Sequence, residues 1–408
     1  MKYACLFKLI PQEYETEFTS KAKCTMQDAA NALQWHIYNG LKTNLNRKID
    51  IFTVVPISSW PQYYRDPFIS EHTYSVNDDE LKMIGFCNIK LIRKRSIPIR
   101  VYQDLKKWCQ QDDDEKILFV YSFQSELMLA VQRLKNEVKN LKVVVIVADL
   151  PDMIDLSSKQ TAIRHIFENK FANDSYSTVN SVDAFVFLTK YMAEYMKTEK
   201  PFCVMEGIAT MPLHFDEEEK NSESEYKTIM YTGTLHKKYG IMNLVQAFQE
   251  IPNPEYRLVI CGIGDSEEEI KFAAQQDSRI QFKGQLKRAD VLAMQRSATV
   301  LVNPRQNNEE FTKYSFPSKT LEYLSSGIPL VAYKLDGIPD EYDNHIYYVQ
   351  DDSVESLREK LLEICEMDSI QREKRALSTQ QFVLGEKNQS KQTMKVLDFL
   401  RERGILND

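Results

Sequence analysis

Short apolar, β-branched runs alternate with longer amphipathic segments from residue 3 to residue 333. That alternation constrains the fold more than any other feature, because parallel strands need a crossover long enough to traverse a sheet face, usually a helix. The two periodicities predict strands at residues 3–9, 49–55, 116–121, 142–148, 184–188 and 202–205, with helices such as 26–41 and 126–140 between them. A second series is expected at 228–231, 257–261, 279–282, 298–302 and 330–333. The implied fold class is α/β, built as two doubly wound parallel-sheet domains. Residues 369–403 read as charged helix with no strand after them.

A chain of 408 residues is too long for one ordinary core and suits two domains of about 200 residues each. The first is expected at 1–210 and the second at 228–385, with a helical end at 386–408 free to pack back on the first. Between them, residues 211–227 read as a linker, because Glu217, Glu218, Glu219, Glu223 and Glu225 make this stretch acidic and poor in apolar residues. Two such domains turn the carboxyl ends of their strands toward a shared cleft, where ligands of these folds bind. The seven cysteines are scattered and never closely paired, which points to a reducing compartment and leaves no zinc-ligand cluster. Residues 1–10 read as a strand rather than a signal, and no run of about eighteen apolar residues occurs, so a cytoplasmic location is expected. A net charge of -7 speaks against nucleic acid as the main partner.

The chemistry concentrates between Glu310 and Pro329, directly after a predicted strand. Pro317 suits a first helical turn, and Ser315 or Ser318 can cap it. The free amides and positive dipole end of that helix favour an anion, with Lys319 as counter-charge and the Thr320 hydroxyl as a further donor; a diphosphate fits. Glu322, about one turn on, can accept two hydrogen bonds from a vicinal diol such as a ribose. Leu321 and Leu324 anchor the helix, and Gly327 is placed to end it. An ordinary capped helix with a solvated Glu322 satisfies the same spacing.

Other strand-end loops carry compatible groups. After Tyr231 come Gly233, Thr234, Lys237, Lys238 and Gly240; after Cys261 come Gly262, Gly264 and Asp265; Gly284, Gln285 and Leu286 follow a third strand. Glycine lets a phosphate approach the backbone, lysine supplies charge, and backbone groups near Gln285 and Leu286 can hold a base edge. Residues 228–350 thereby resemble the donor-binding half of the family 4 glycosyltransferases, retaining enzymes with two Rossmann-like domains facing a cleft (GT-B). Phe316-Pro317-Ser318-Lys319 with Glu322-Tyr323 is similar to bacterial members that build capsular or exopolysaccharide repeat units. The first half resembles the family less, chiefly at Asp183 to Met196, Glu206-Gly207 and Asp149-Leu150-Pro151.

The resemblance implies transfer of a sugar from a nucleoside diphosphate sugar to an acceptor hydroxyl, with retention and with neither metal nor cofactor. Carried over by position, Glu322 matches the glutamate that binds the ribose, while Tyr314 stands where the family has its first glutamate; Glu309 or Glu310, preferentially Glu310, is expected to contact the sugar. Thr234 replaces the family's diphosphate-binding arginine, and the lysine is displaced to Lys238. Expected in catalysis are Glu310, Lys238 and Lys319, and in substrate binding Gly233, Thr234, Gly262, Gly264, Gln285, Leu286, Phe311, Thr312, Ser318, Thr320, Leu321, Glu322 and Asp149. The family's glycine pair after the first strand is Ile10-Pro11 here, and Asp149-Leu150-Pro151-Asp152 occupies the strand end where a histidine is usual. Rival readings are a nucleotide-sugar 2-epimerase of the same fold, for which His36, His72, His165 and His345 form no evident constellation, and a non-catalytic partner subunit that binds nucleotide sugar.

The acceptor, a saccharide or a lipid-linked one, falls to the first half. Residues 90–108 carry Lys90, Arg93, Lys94, Arg95, Arg100, Lys106 and Lys107 against Asp104 alone, near Trp60, Tyr63, Tyr64 and Phe68. Such a stretch suits docking on the anionic inner face of a cell membrane, or is a solvated helix face.

Overall fold

The computed structural model describes residues 1–24, 28–153, 162–210 and 226–407. The expected linker at 211–227 and the start of the helix expected at 26–41 lie almost wholly and partly, respectively, outside these residues. Contacts divide the chain into one unit of Met1–Ile208 with Gln389–Asp408 and another of Ala209–Asn388.

The first unit is built on β1 (Lys2–Phe7), α1 (Glu15–Lys21), α2 (Asp28–Leu45), β2 (Ile49–Thr53), β3 (Phe68–Ile69), β4 (His72–Val76), β5 (Asp79–Met83), β6 (Phe86–Cys87), α3 (Lys90–Cys109), β7 (Lys116–Tyr121), α4 (Ser125–Glu137), β8 (Leu141–Val147), α5 (Ala162–Tyr176), β9 (Ala184–Phe187), α6 (Tyr191–Tyr195) and β10 (Phe202–Val204). Eight strands form one sheet in the order β10-β9-β8-β7-β1-β2-β5-β4. Its central strands are buried on both faces, as covered parallel strands must be, and Tyr3 of β1 stands opposite both Ile49 and Ile117. The expectation of a purely parallel sheet is corrected at one edge, where β4 runs antiparallel to β5. Asn77 and Asp78, both with positive φ, make the tight turn between them, the two-residue hairpin geometry that matches strand twist. The chain leaves β1 toward β2 on one side and later returns to β7 on the other, so the strand order reverses between β1 and β7.

The second unit contains β11 (Lys227–Thr232), α7 (Ile241–Gln249), β12 (Tyr256–Cys261), α8 (Glu267–Gln276), β13 (Ile280–Gly284), α9 (Arg288–Arg296), β14 (Val300–Asn303), α10 (Ser318–Ser325), β15 (Leu330–Ala332), β16 (Tyr347–Tyr348), α11 (Val354–Glu366) and α12 (Ser369–Glu386). All six strands are parallel, in the order β13-β12-β11-β14-β15-β16. This is the doubly wound arrangement, and its order reverses between β11 and β14, the position at which such sheets open a crevice beyond their strand ends. Ile229, Leu258, Val300 and Val331 of the sheet pack with Leu244 and Phe248 of α7 and with Leu357 and Leu361 of α11, all fully buried. The last helix, α13 (Gln389–Glu402), belongs to the first unit and lies against α2. Asn44 donates from Nδ2 to the Ser390 carbonyl at 2.7 Å and to Thr393 Oγ1 at 2.8 Å.

Candidate active site

The loops after β11, β12 and β14 converge beyond the strand ends of the second unit. Gly233 N–H donates to the Cys261 carbonyl at 3.0 Å and Leu235 N–H to the Ile263 carbonyl at 2.9 Å, so the first two loops run alongside each other. They run so close that a Cβ on Gly262, at φ +143°, would lie 1.8 Å from the Gly233 carbonyl oxygen. Gly240, at φ +76°, packs in the same way against the loop after β14, where a Cβ would come within 2.0 Å of the Pro304 carbonyl oxygen. Asp265 ties the arrangement together by accepting from Lys237 N–H at 3.0 Å and by pairing with His236 Nδ1 at 3.1 Å. Gly262 N–H donates to the Gly284 carbonyl at 2.8 Å, which brings the third loop, with exposed Gln285, to the same edge.

Two cations meet an aromatic pair at the reversal point. Lys238 Nζ lies 5.7 Å from the centre of the Phe311 ring, and the Arg305 guanidinium lies 5.4 Å from the same ring and 4.2 Å from that of Tyr239. Arg305 Nη1 donates a long 3.4 Å bond to Ser315 Oγ, and no carboxylate pairs with it among the described residues. Burial holds the Arg305 guanidinium below its ordinary pKa. Burial also lowers that of Lys238, against the attraction of Glu309 and Asp265 and with the repulsion of Arg305. Two crowded, partly desolvated cations gain most from an anion of more than one charge. Sequence reasoning missed Arg305, although it sits three residues beyond the end of a predicted strand, at the same sheet edge as the loops singled out.

The helix α10 supplies the third cation and a carboxylate. Pro317 precedes its first turn, and neither Ser315 nor Ser318 caps it: no side chain does, and Ser315 Oγ instead donates to the Phe311 carbonyl at 3.2 Å. The expected serine cap is thus corrected, and the first turn's amides stay uncapped by any side chain. Thr320 is buried with its hydroxyl unpartnered among the described residues. Glu322, only 15% exposed, accepts from Lys319 Nζ at 2.7 Å and from Gln295 Nε2 at 2.8 Å, with Arg288 Nη1 at 3.5 Å. Burial pushes its carboxyl pKa up, but Lys319, Gln295 and Arg288 outweigh that and hold it below the ordinary value. Gln295 also donates to Thr232 Oγ1 at 2.8 Å, and Tyr323 Oη exchanges bonds with Thr232 N–H and carbonyl, each 2.8 Å. This network fixes α10 to the end of β11. Glu322 is therefore a positioned, ionised carboxylate rather than a solvated one.

Not every residue singled out presents a free group here. Leu321 is buried in the core, and Thr312 spends its hydroxyl on Asn307 Oδ1 at 2.9 Å and the Glu309 carbonyl at 2.6 Å, holding the loop together. Glu310 is exposed, with Tyr314 Oη donating to it at 3.4 Å. Thr234 is exposed, and its carbonyl accepts from Tyr231 Oη at 2.8 Å. Asp149 lies in the first unit, just past β8. His345 stacks on Phe382 at 4.1 Å, His72 on Tyr14 at 5.9 Å, and His36 faces Gln389; the side chain of His165 lies outside those described.

The basic stretch forms the helix α3, and one expected surface cation is not on the surface. Arg93 is buried, bonded to the Ile57 carbonyl and, at 3.0 Å, to Asn88 Oδ1. Arg100 pairs with Glu71 at 2.8 Å and Lys106 with Glu137 at 2.7 Å. Lys90, Lys94 and Arg95 remain exposed beside Leu91, which is 75% exposed, and Ile92. Exposed Trp60 lies next to them through the bridge to Ile89, and Phe68, 65% exposed, through the β3–β6 pair. No described helix is long and apolar enough to cross a membrane.

Residues 214–389 match the family model of the glycosyl transferases, group 1. No curated protein matches the chain. Among solved structures, a sucrose-phosphate synthase from Thermosynechococcus elongatus is similar over 99% of both chains, with TM-score 0.66 and 12% identity. A UDP-forming α,α-trehalose-phosphate synthase from Burkholderia xenovorans, in complex with glucose-6-phosphate, covers 98% of this chain and 100% of its own, with TM-score 0.65 and 13% identity. The Anabaena protein HepE in complex with UDP covers 98% of this chain and 100% of its own, with TM-score 0.60 and 11% identity. The fold is thus that of the two-domain GT-B transferases.

Proposed function

We propose that the protein is a family 4-like glycosyltransferase that moves a hexosyl group from a nucleoside diphosphate sugar to an acceptor hydroxyl with retention of configuration. The observation that carries this reading is Glu322, an ionised carboxylate held by Lys319 and Gln295 on the first turns of α10, at the same sheet edge as the loops that bring Lys238 and Arg305 to the Phe311 ring. A ribose diol meets the carboxylate, and a diphosphate meets Lys238, Arg305, Lys319 and the helix amides. Gln285 and Leu286 border the base, and Glu310, with Glu309 beside it, faces the sugar. The match of residues 214–389 to group 1 transferases and the UDP seen in HepE agree with this assignment.

In the step itself, the bond from the anomeric carbon to the diphosphate oxygen breaks as the acceptor oxygen attacks from the same face. The acceptor's proton passes to the departing diphosphate. Charge builds on that leaving group, and Lys238, Arg305 and Lys319 stabilise it without a metal. We place the acceptor at a membrane, as a lipid-linked saccharide in cell-surface polysaccharide assembly. What supports this is the exposed combination of Leu91, Ile92, Trp60 and Phe68 with Lys90, Lys94 and Arg95, apolar groups to enter an interface and cations to meet anionic lipid.

A thermal-shift screen across uridine, guanosine and thymidine diphosphate sugars tests the donor site. One nucleotide should raise the melting temperature of the wild type and lose most of that effect with Glu322→Ala. A shift that survives Glu322→Ala would remove the carboxylate from the donor site.

A further inference from the structure

The last helix of the first unit, α13, has a charged face that lies outside the donor site. Val396, Leu397 and Leu400 are buried in this helix, which lies against α2. Beside them, Lys391, Met394, Lys395, Asp398, Phe399 and Glu402 recur at helical spacing and so share one stripe. Met394 and Phe399 are half-buried, and the four charged residues are exposed. With Cys203 of β10 they line an open depression of about 510 Å³. β10 is the end strand of its sheet, and among the described residues no strand continues the sheet past it.

The order of charges along this stripe is unfavourable for a helix standing alone. Lys391 and Lys395 are like-charged neighbours four residues apart, and so are Asp398 and Glu402, a spacing at which such pairs destabilise. The two cations also stand toward the positive end of the helix dipole and the two carboxylates toward its negative end. The surrounding chain does not offset this. Among the described residues Lys395 and Glu402 have no ion-pair partner, and Asp398 pairs with Arg401 Nη1 at 2.9 Å. An antiparallel copy of the same helix would. With a two-fold axis through the midpoint between Val396 and Leu397, residues equidistant from that point face each other across the contact. Lys391 then meets Glu402 of the second copy, Lys395 meets its Asp398, and Met394 meets its Phe399, each pair occurring twice. A parallel pairing would instead set lysine on lysine and carboxylate on carboxylate.

We infer that this face of α13 is a two-fold interface, at which a second copy of the chain docks with its own α13 antiparallel. Exposed ion pairs add little affinity, so here they fix orientation and register, while burial of Met394, Phe399 and the depression beside Cys203 drives association. The interface stands apart from the transferase reading, because none of its residues belongs to the donor site. Sedimentation velocity of the full chain across the micromolar range tests it. The wild type, 47.7 kDa per chain, should sediment as a dimer that weakens with added salt. Lys395→Glu sets like charges together twice in each dimer, and so does Asp398→Lys; either one should raise the dissociation constant at least about 100-fold. Mixed in equal amounts, the two variants should regain the dimer, because one copy then brings two central anions and the other two central cations. A damaged fold would not recover on mixing. A wild type that stays monomeric, a dimer indifferent to both substitutions, or single variants that fail to associate when mixed would overturn the interface.

Discussion

Burial pushes the Glu322 carboxyl toward its protonated form, and its three partners outweigh that, so its ionisation state is a product of packing that sequence spacing does not reveal. The sign of its pH dependence follows. A carboxyl held below its ordinary value of 4.5 contributes stability that is complete above that value and is lost as pH falls through the lowered one. Urea unfolding should therefore show Glu322→Gln destabilised by about 1–2 kcal/mol at neutral pH, with the difference from wild type shrinking as pH falls through the lowered value. A difference independent of pH would mean that the carboxylate is not held ionised by its neighbours. Arg305 makes the complementary case for the diphosphate. Its guanidinium, over the rings of Tyr239 and Phe311, should cost about 10- to 100-fold in affinity for the nucleoside diphosphate found in the screen when changed to Met, the range of a lost charge-assisted hydrogen bond. Titration calorimetry that finds the affinity unchanged would exclude it from the site. The resemblance pointed to Thr234 as the place of a missing arginine, and that Arg305, from another strand-end loop, shares the Phe311 ring with Lys238 becomes visible only when the loops are folded against one another.

At the scale of elements, the strand ends were legible because short β-branched runs end abruptly in polar, glycine-bearing loops. Predicted strands at 116–121 and 257–261 differ from β7 and β12 by no more than one residue at an end. The antiparallel β4 was not legible, since its burial alternates only weakly along the strand and its turn residues, Asn77 and Asp78, were the available signal. The loop-to-loop contacts are legible least of all. Gly240 reads as a plain turn residue, yet it is the point at which the loop after β11 rests on Pro304. Gly240→Ala adds a clash there and an unfavourable left-handed backbone, so it should weaken binding of the nucleoside diphosphate found in the screen by at least about tenfold, some 1.4 kcal/mol. Far-UV circular dichroism should stay close to wild type, because neither strand is altered. An unchanged dissociation constant would show that the two loops need not touch for nucleotide to bind.

For the whole molecule, hydrophobic periodicity was sufficient for two parallel-sheet units, because each strand must be covered on both faces and so is written as a continuous apolar run. Surface roles were less legible. A count of basic residues in 90–108 treats Arg93 like Lys94, whereas the fold buries one and exposes the other. With Lys90, Lys94 and Arg95 together changed to Glu, partition onto anionic vesicles should fall by at least about 100-fold at moderate salt, at roughly 1 kcal/mol per surface cation. Binding that persists would return this face of α3 to the status of a solvated helix. The central claim, transfer from a nucleoside diphosphate sugar, is tested most directly by incubating the purified protein with a panel of such sugars and resolving the products. Slow release of free sugar and nucleoside diphosphate from one donor, faster when an acceptor is added, is the predicted result. An epimerised nucleotide sugar, or binding with no turnover of any donor, would contradict it.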